Sequence, residues 1–239
     1  MLVLSCEQFT YVLNKLTGLF DKMTFANEPL LDQPMGFNVW RAPTDNDRKL
    51  KADWYAAHYD HAATNAYHTE YTVTASGVTL HTHVGIAAIC VQKFLDLDVT
   101  WTVANNGSVD LALHAQRNTV FPELPRFGLR LFLPQEMSQV NYYGMGPMEC
   151  YRDKHHAASY TATVWQLHED YIRPQENGSH FDCDYVMLAG DAVRLTAVGT
   201  QPFSFNASHY TQEELTRKAH NYELEPCGST VLCLDYAQN

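Results

Sequence analysis

From Phe94 to Val103 the chain alternates: Leu95, Leu97, Val99, Trp101 and Val103 share one side of an extended backbone, and Asp96, Asp98, Thr100 and Thr102 share the other. A strand with one face on a core and the other in water has this period of two. Asn105-Asn106-Gly107 follows, and because Asn and Gly tolerate positive φ it predicts a turn. Leu111, Leu113 and Ala115 resume the alternation and complete a hairpin. The same reasoning predicts strands at residues 9–13, 19–25, 70–75, 78–84, 128–133, 139–143, 183–189, 193–199, 203–207 and 230–235, with Ser76-Gly77 as a tight turn. Frequent short strands between turn signals predict an all-β fold, an antiparallel sandwich or barrel. Helix is scarce. Thr211-Gln212-Glu213-Glu214 has the hydroxyl and the carboxylate of a capping box, so a short helix is expected from there to about residue 219. Residues 45–57 read as a second helix or an irregular loop. No repeat, low-complexity stretch or linker divides residues 1–239, which predicts one domain.

Composition narrows the partners. Hydrophobic residues make up 46% and charged residues 18% of 239, a globular balance. A chain of this size buries roughly 70–75% of its unfolded surface, enough for its own core. The net charge is −11, and the densest basic stretch, Arg48-Lys49-Leu50-Lys51, runs at once into Asp53. A nucleic acid or an anionic membrane would be repelled by such a surface, whereas a sugar or a neighbouring protein domain would not. No apolar run approaches the ~20 residues of a membrane helix. The start of the chain has neither the basic region nor the apolar run of a signal peptide. Six scattered cysteines without a Cys-x-x-Cys pair read as reduced thiols in a cytoplasmic protein.

Three segments carry chemistry. In Phe37-Asn38-Val39-Trp40-Arg41-Ala42-Pro43-Thr44-Asp45-Asn46-Asp47, Arg41 can lock the loop against Asp45 and Asp47, or the loop can face a sugar or another domain. In Tyr143-Gly144-Met145-Gly146-Pro147-Met148-Glu149-Cys150-Tyr151-Arg152-Asp153, the glycines and proline suggest a corner after a strand. Glu149, Tyr151, Arg152 and Asp153 would then stand on an exposed rim. Glu149 and Asp153 invite a glycosidase reading, which needs carboxyl groups about 5–9.5 Å apart around one bond; ion pairing with Arg152 or Lys154 is favoured instead. In Pro174-Gln175-Glu176-Asn177-Gly178, Gly178 is expected at positive φ, with Asn177 bonding backbone. His81 and His83 would share one face of a strand near no third ligand, so zinc is not expected. There is no HExxH, no Gly-x-Ser-x-Gly elbow and no phosphate loop.

These segments are similar, in the same order, to the W-R-A-P-x-D-N-D, G-x-G-P-x-E-x-Y-x-D and P-x-E-N-G signatures of the C-terminal sandwich (small chain, domain 5) of bacterial β-galactosidases of glycoside hydrolase family 2. Phe205-Asn206-Ala207-Ser208-His209-Tyr210-Thr211 and the opening Phe9-Thr10-Tyr11-Val12-Leu13 extend the match. The resemblance implies a large antiparallel supersandwich of the galactose mutarotase type with one or two short helices. It implies a non-catalytic part of an enzyme that hydrolyses terminal β-galactosides such as lactose. The two catalytic glutamates would lie on a (β/α)₈ barrel elsewhere, for which this chain has no room. Arg41, Asp45, Asn46, Asp47, Glu149, Tyr151, Arg152, Glu176 and Asn177 are then candidates to face carbohydrate or an interface. No cofactor is expected in this chain; Mg²⁺ and Na⁺ or K⁺ would be bound mainly by other domains. The barrel, a galactoside at the shared rim and a second copy of the chain are the expected partners. The family's sugar-stacking tryptophan lies on a loop that would begin just beyond residues 234–239, so Trp40, Trp54, Trp101 and Trp165 do not inherit its role, and the chain is expected to be an excised, truncated domain. The open alternatives are a stand-alone carbohydrate-binding module and an aldose mutarotase.

Overall fold

The computed structural model describes residues 1–167 and 171–238; of the terminal run 234–239, Asn239 lies outside the described residues. The chain forms β1 (Leu2–Ser5), β2 (Phe9–Asn14), β3 (Leu19–Phe25), β4 (Glu28–Pro29) and β5 (Gln33–Asn38). A 3₁₀ turn at Asp45–Arg48 leads to α1 (Leu50–Ala56). Next come β6 (Ala63–Thr74), β7 (Gly77–Ala87), β8 (Leu95–Ala104), β9 (Val109–Arg117), β10 (Arg126–Pro134) and β11 (Gln139–Gly146). β12 (Ser159–Gln166), β13 (Ser179–Ala189), β14 (Arg194–Ser208), α2 (Gln212–Arg217) and β15 (Ser229–Gln238) complete it. All named strand pairings are antiparallel. The fold is an all-β sandwich with two short helices, and neither helix is long and apolar enough to cross a membrane.

Two four-stranded meanders, β1–β4 and β6–β9, lie face to face. Leu95, Leu97, Val99, Trp101 and Val103 are all buried beneath the first meander, as their alternation predicts. Trp101 Nε1 donates to the Gly18 carbonyl at 2.9 Å, and its ring meets Phe20 edge-on at 5.1 Å. Gly18 has φ +72° and lies so near Thr82 that an added Cβ would come within 2.7 Å of its methyl group. The predicted turn at Gly107 (φ +84°) is also present, and Tyr11 of the facing sheet donates to its carbonyl at 2.8 Å.

The third sheet has seven strands in the order β12-β11-β13-β14-β15-β10-β5. Its inner face carries Val140, Tyr142, Val186, Leu188, Phe205 and Leu133, none with measurable exposure, and one buried cluster draws on all three sheets. Thr211 caps α2 as expected, accepting from Glu214 N at 3.1 Å; the helix ends at Arg217 rather than near residue 219.

Several expectations are corrected. The strands expected at 193–199 and 203–207 are one strand, β14, whose ladder with β13 jumps from Val198 to Phe203. Gly199 and Pro202 fall in that bulge, where no ladder N–H is needed, so they bend the strand without ending it. β5 was not expected, because Pro34 and Gly36 disfavour strands; as the outermost strand of its sheet it tolerates both. The alternation of edge strand β9 buries less than expected: Leu113 packs half-buried against the core, whereas Leu111 is 36% exposed and Ala115 is exposed too. All six cysteines are free thiols.

Candidate functional site

The three chemistry-bearing segments meet at one end of the seven-stranded sheet. The loop after β5 is fixed from within. Asp47 accepts from Arg41 Nη2 at 2.7 Å through one oxygen, and from the Thr44 N–H (2.8 Å) and hydroxyl (3.0 Å) through the other. The Arg41 guanidinium also lies over the Trp54 ring, 5.4 Å from its centre. Arg41 and Asp47 are both buried, which is the geometry of the loop lock. Asp45, two residues earlier, points to water and pairs with Arg173 at 2.9 Å; Asn46 is exposed beside it.

The glycines after Tyr143 do not form a corner. Gly144 and Gly146 belong to β11 and have ordinary negative or extended backbone; they are required by close approach. A Cβ at 144 would overlap Cys183 Sγ, and one at 146 would overlap the Tyr142 hydroxyl. Beyond them Glu149 turns inward rather than out to the rim, because three donors wait there: Lys154 Nζ at 2.5 Å, the Gly178 N–H at 2.7 Å and the Tyr171 hydroxyl. Burial alone would raise the Glu149 pKa, but these three bonds outweigh it and hold the carboxyl below its usual range. Tyr151 is half-buried; burial and then the Glu176 and Glu149 carboxylates push its phenol well above 10, so it stays neutral. Arg152 and Asp153 are exposed.

The third segment ties the other two together. The Glu176 N–H donates to the Ala42 carbonyl at 3.0 Å, and the Cys150 N–H to the Ser179 carbonyl at 2.8 Å. Gly178 sits at φ +69°, and Asn177 Nδ2 donates to the Gln175 carbonyl at 2.9 Å. The Glu176 side chain is buried against Arg126, whose Nη1 reaches both carboxylate oxygens at 3.2–3.3 Å. Arg126 grips Asp235 through Nε (3.2 Å) and Nη2 (2.5 Å). Burial opposes charge on Arg126, yet Asp235 and then Glu176 raise its pKa well above the ordinary guanidinium value. This buried triad clamps β10, β15 and the 174–178 loop.

Sequence reasoning missed Arg126 and Asp235. Asp235 leaves one trace, a lone charge in an otherwise apolar strand, whereas β10 carries Arg130 as well as Arg126, and nothing local names a partner 109 residues away. His180 was missed as well. It is fully buried among Tyr142, Trp165 and Phe205, with Nδ1 3.0 Å from the Tyr142 hydroxyl, and burial lowers its pKa to about 4.

Glu149 is fixed as an anion and Glu176 is locked to Arg126, whereas a glycosidic acid needs a raised pKa and a free proton. Beside the rim lies a depression of about 530 Å³ lined by Met148, Glu149, Asp153, Lys154, His155 and His156. His81 and His83 share the outer face of β7; His81 bonds Thr100 at 3.0 Å, and His83 bonds Asp98 at 3.0 Å with its other ring nitrogen 2.9 Å from Asp96. Among the described residues no three His, Cys, Asp or Glu side chains are grouped to hold a metal ion.

A family model described as "Beta galactosidase small chain" matches residues 5–239. The chain is 43% identical to a β-galactosidase of Actinobacillus pleuropneumoniae over 232 residues, covering 96% of this chain and 23% of that protein. It is 35% identical to one from Staphylococcus xylosus, with coverages of 96% and 23%. A third, from Vibrio cholerae, is 31% identical, with coverages of 93% and 22%. The chain thus spans under a quarter of the length of these curated relatives.

Proposed function

The chain belongs to the β-galactosidase small-chain family, and from that premise we propose that it is the non-catalytic sandwich of a β-galactosidase, shaping the rim of an active site whose reacting groups lie elsewhere. The parent reaction in this reading is hydrolysis of terminal β-galactosides such as lactose. The observation that carries it is the convergence of the three segments through Glu149–Gly178, Glu176–Ala42 and Arg126–Glu176–Asp235. A rim that positions a substrate or a neighbouring domain must hold its shape to within about half an ångström, and buried ion pairs with backbone ties do that. They leave Asp45, Asn46, Arg152 and Asp153 on the exposed side, available to a sugar or to the barrel.

Any Mg²⁺, Na⁺ or K⁺ used by the parent enzyme would be held mainly by its other domains in this reading. Assay of the purified chain on a chromogenic β-galactoside tests the proposal. No turnover is expected. Turnover that disappears in Glu149→Gln while the variant keeps its fold would sink it.

A further inference from the structure

The outer face of the seven-stranded sheet is covered over only half its width. At the β15-β10-β5 end, α2 and the loop after β5 lie across it: Gln212 Nε2 reaches Cys233 Sγ at 3.4 Å, Arg130 pairs with Glu213 at 2.8 Å, and Trp40 Nε1 donates to Thr216 at 3.0 Å. At the β12-β11-β13-β14 end no described residue does the same. The register fixes which side chains stand there. Tyr160 and Val164 of β12 oppose Met145 and Asn141 of β11; Tyr143 opposes Tyr185 of β13, and Tyr185 opposes Val198 of β14. Val164 is 77% and Val198 74% exposed, and the Tyr143 and Tyr160 rings meet edge-on at 4.8 Å.

Two features set this face apart from ordinary surface. The chain carries a net charge of −11, yet charge here is confined to the corners, with Asp184 near Tyr160 and Arg194 at the far end of β14. β12 is also an outermost strand, and its sequence SYTATVWQ has no charged residue. Proteins normally guard exposed edges with charge, and a contiguous apolar face marks an interaction surface.

We propose that this face is where the rest of a β-galactosidase polypeptide docks. The proposal rests on the family reading above. This chain accounts for only 22–23% of its relatives' length, so a much larger body must be accommodated beside it. The uncovered half of the sheet is the surface its own helices leave open. The matching surface is uncharged and apolar, with a cation to meet Asp184.

The test pairs the chain with the Actinobacillus pleuropneumoniae β-galactosidase lacking its matching segment. Hydrogen exchange is read on the chain alone and in the mixture, and affinity is measured for the wild type, Val164→Lys, and Leu16→Lys as a control exposed in the turn between β2 and β3. The expected result is slowed exchange at residues 159–165, with Val164→Lys binding roughly tenfold or more weakly and Leu16→Lys binding like the wild type. Tight binding without slowed exchange, and with Val164→Lys unaffected, overturns the assignment of this face. Self-association of the chain that Val164→Lys abolishes, with no competition from the partner, assigns the face to a second copy and also overturns it. No binding by the wild-type chain overturns the family-based function itself.

Discussion

Replacing Arg126 by Met isolates the clamp that joins the three segments. The side chain is fully buried, and so are the Asp235 and Glu176 carboxylates it serves. Methionine fills much of the volume, so the loss is chiefly electrostatic. Removing one partner of a buried pair costs about 3–5 kcal/mol, because the remaining charge has no compensation. Two carboxylates are stranded here, which places the expectation near 5 kcal/mol, against a total stability of about 5–15 kcal/mol for a typical domain. The sign of the pH dependence is diagnostic. Stranded in an apolar setting, both carboxyls have folded pKa values raised above their unfolded values of about 4. A raised folded pKa gives stability that is present at low pH and lost as pH rises through it. The deficit of the variant should therefore be larger at pH 7 than at pH 5. Urea unfolding followed by tryptophan fluorescence measures it at both pH values. Adding Asp235→Asn and Glu176→Gln to Arg126→Met should recover most of the loss. A deficit below about 1 kcal/mol, or one equal at both pH values, refutes the clamp.

Two further predictions concern single groups. Glu149→Gln removes a carboxylate bound by Lys154, Tyr171 and Gly178, and should cost about 1–3 kcal/mol at pH 7. Since the Glu149 pKa is lowered on folding, its contribution is present above the unfolded pKa of about 4.3 and lost as pH falls through the folded value, so wild type and variant should converge in acid. His180, with a folded pKa of about 4 against about 6.5 unfolded, acts in the opposite direction to a paired histidine. The unfolded chain binds its proton first, so stability falls as pH drops from about 6.5 to about 4, by up to about 3 kcal/mol. His180→Phe should flatten that part of the stability–pH curve, and an NMR titration showing His180 protonated at pH 6 would contradict the burial argument.

Local signals were legible where one side of a strand met the core squarely. β8 is buried as its alternation requires, Gly107 and Gly178 take the positive φ their turns need, and Thr211 caps α2. Edge strands were harder, since β9 alternates like a buried strand yet leaves Leu111 and Ala115 exposed, and β5 carries Pro34 and Gly36. The candidate site was visible as three stretches of residues but not as an arrangement. Asp45 and Asp47 are two positions apart and look alike in sequence, yet one is solvent-exposed and the other closes a buried pair. Glu149 was expected at the rim and turns inward because its donors come from residues 154, 171 and 178. The Arg126–Asp235 pair depends on the β10–β15 ladder, a long-range pairing that no local pattern encodes.

The central claim, that this sandwich serves β-galactosidase activity by docking and shaping rather than by reacting, is tested most directly by mixing. The chain is added to a β-galactosidase polypeptide lacking the matching segment, and hydrolysis of a chromogenic galactoside is followed with each component alone and with both together. The account predicts no hydrolysis by the chain alone, and activity in the mixture above that of the truncated enzyme. Hydrolysis by the chain alone, or a mixture no more active than the truncated enzyme and showing no complex, would contradict it.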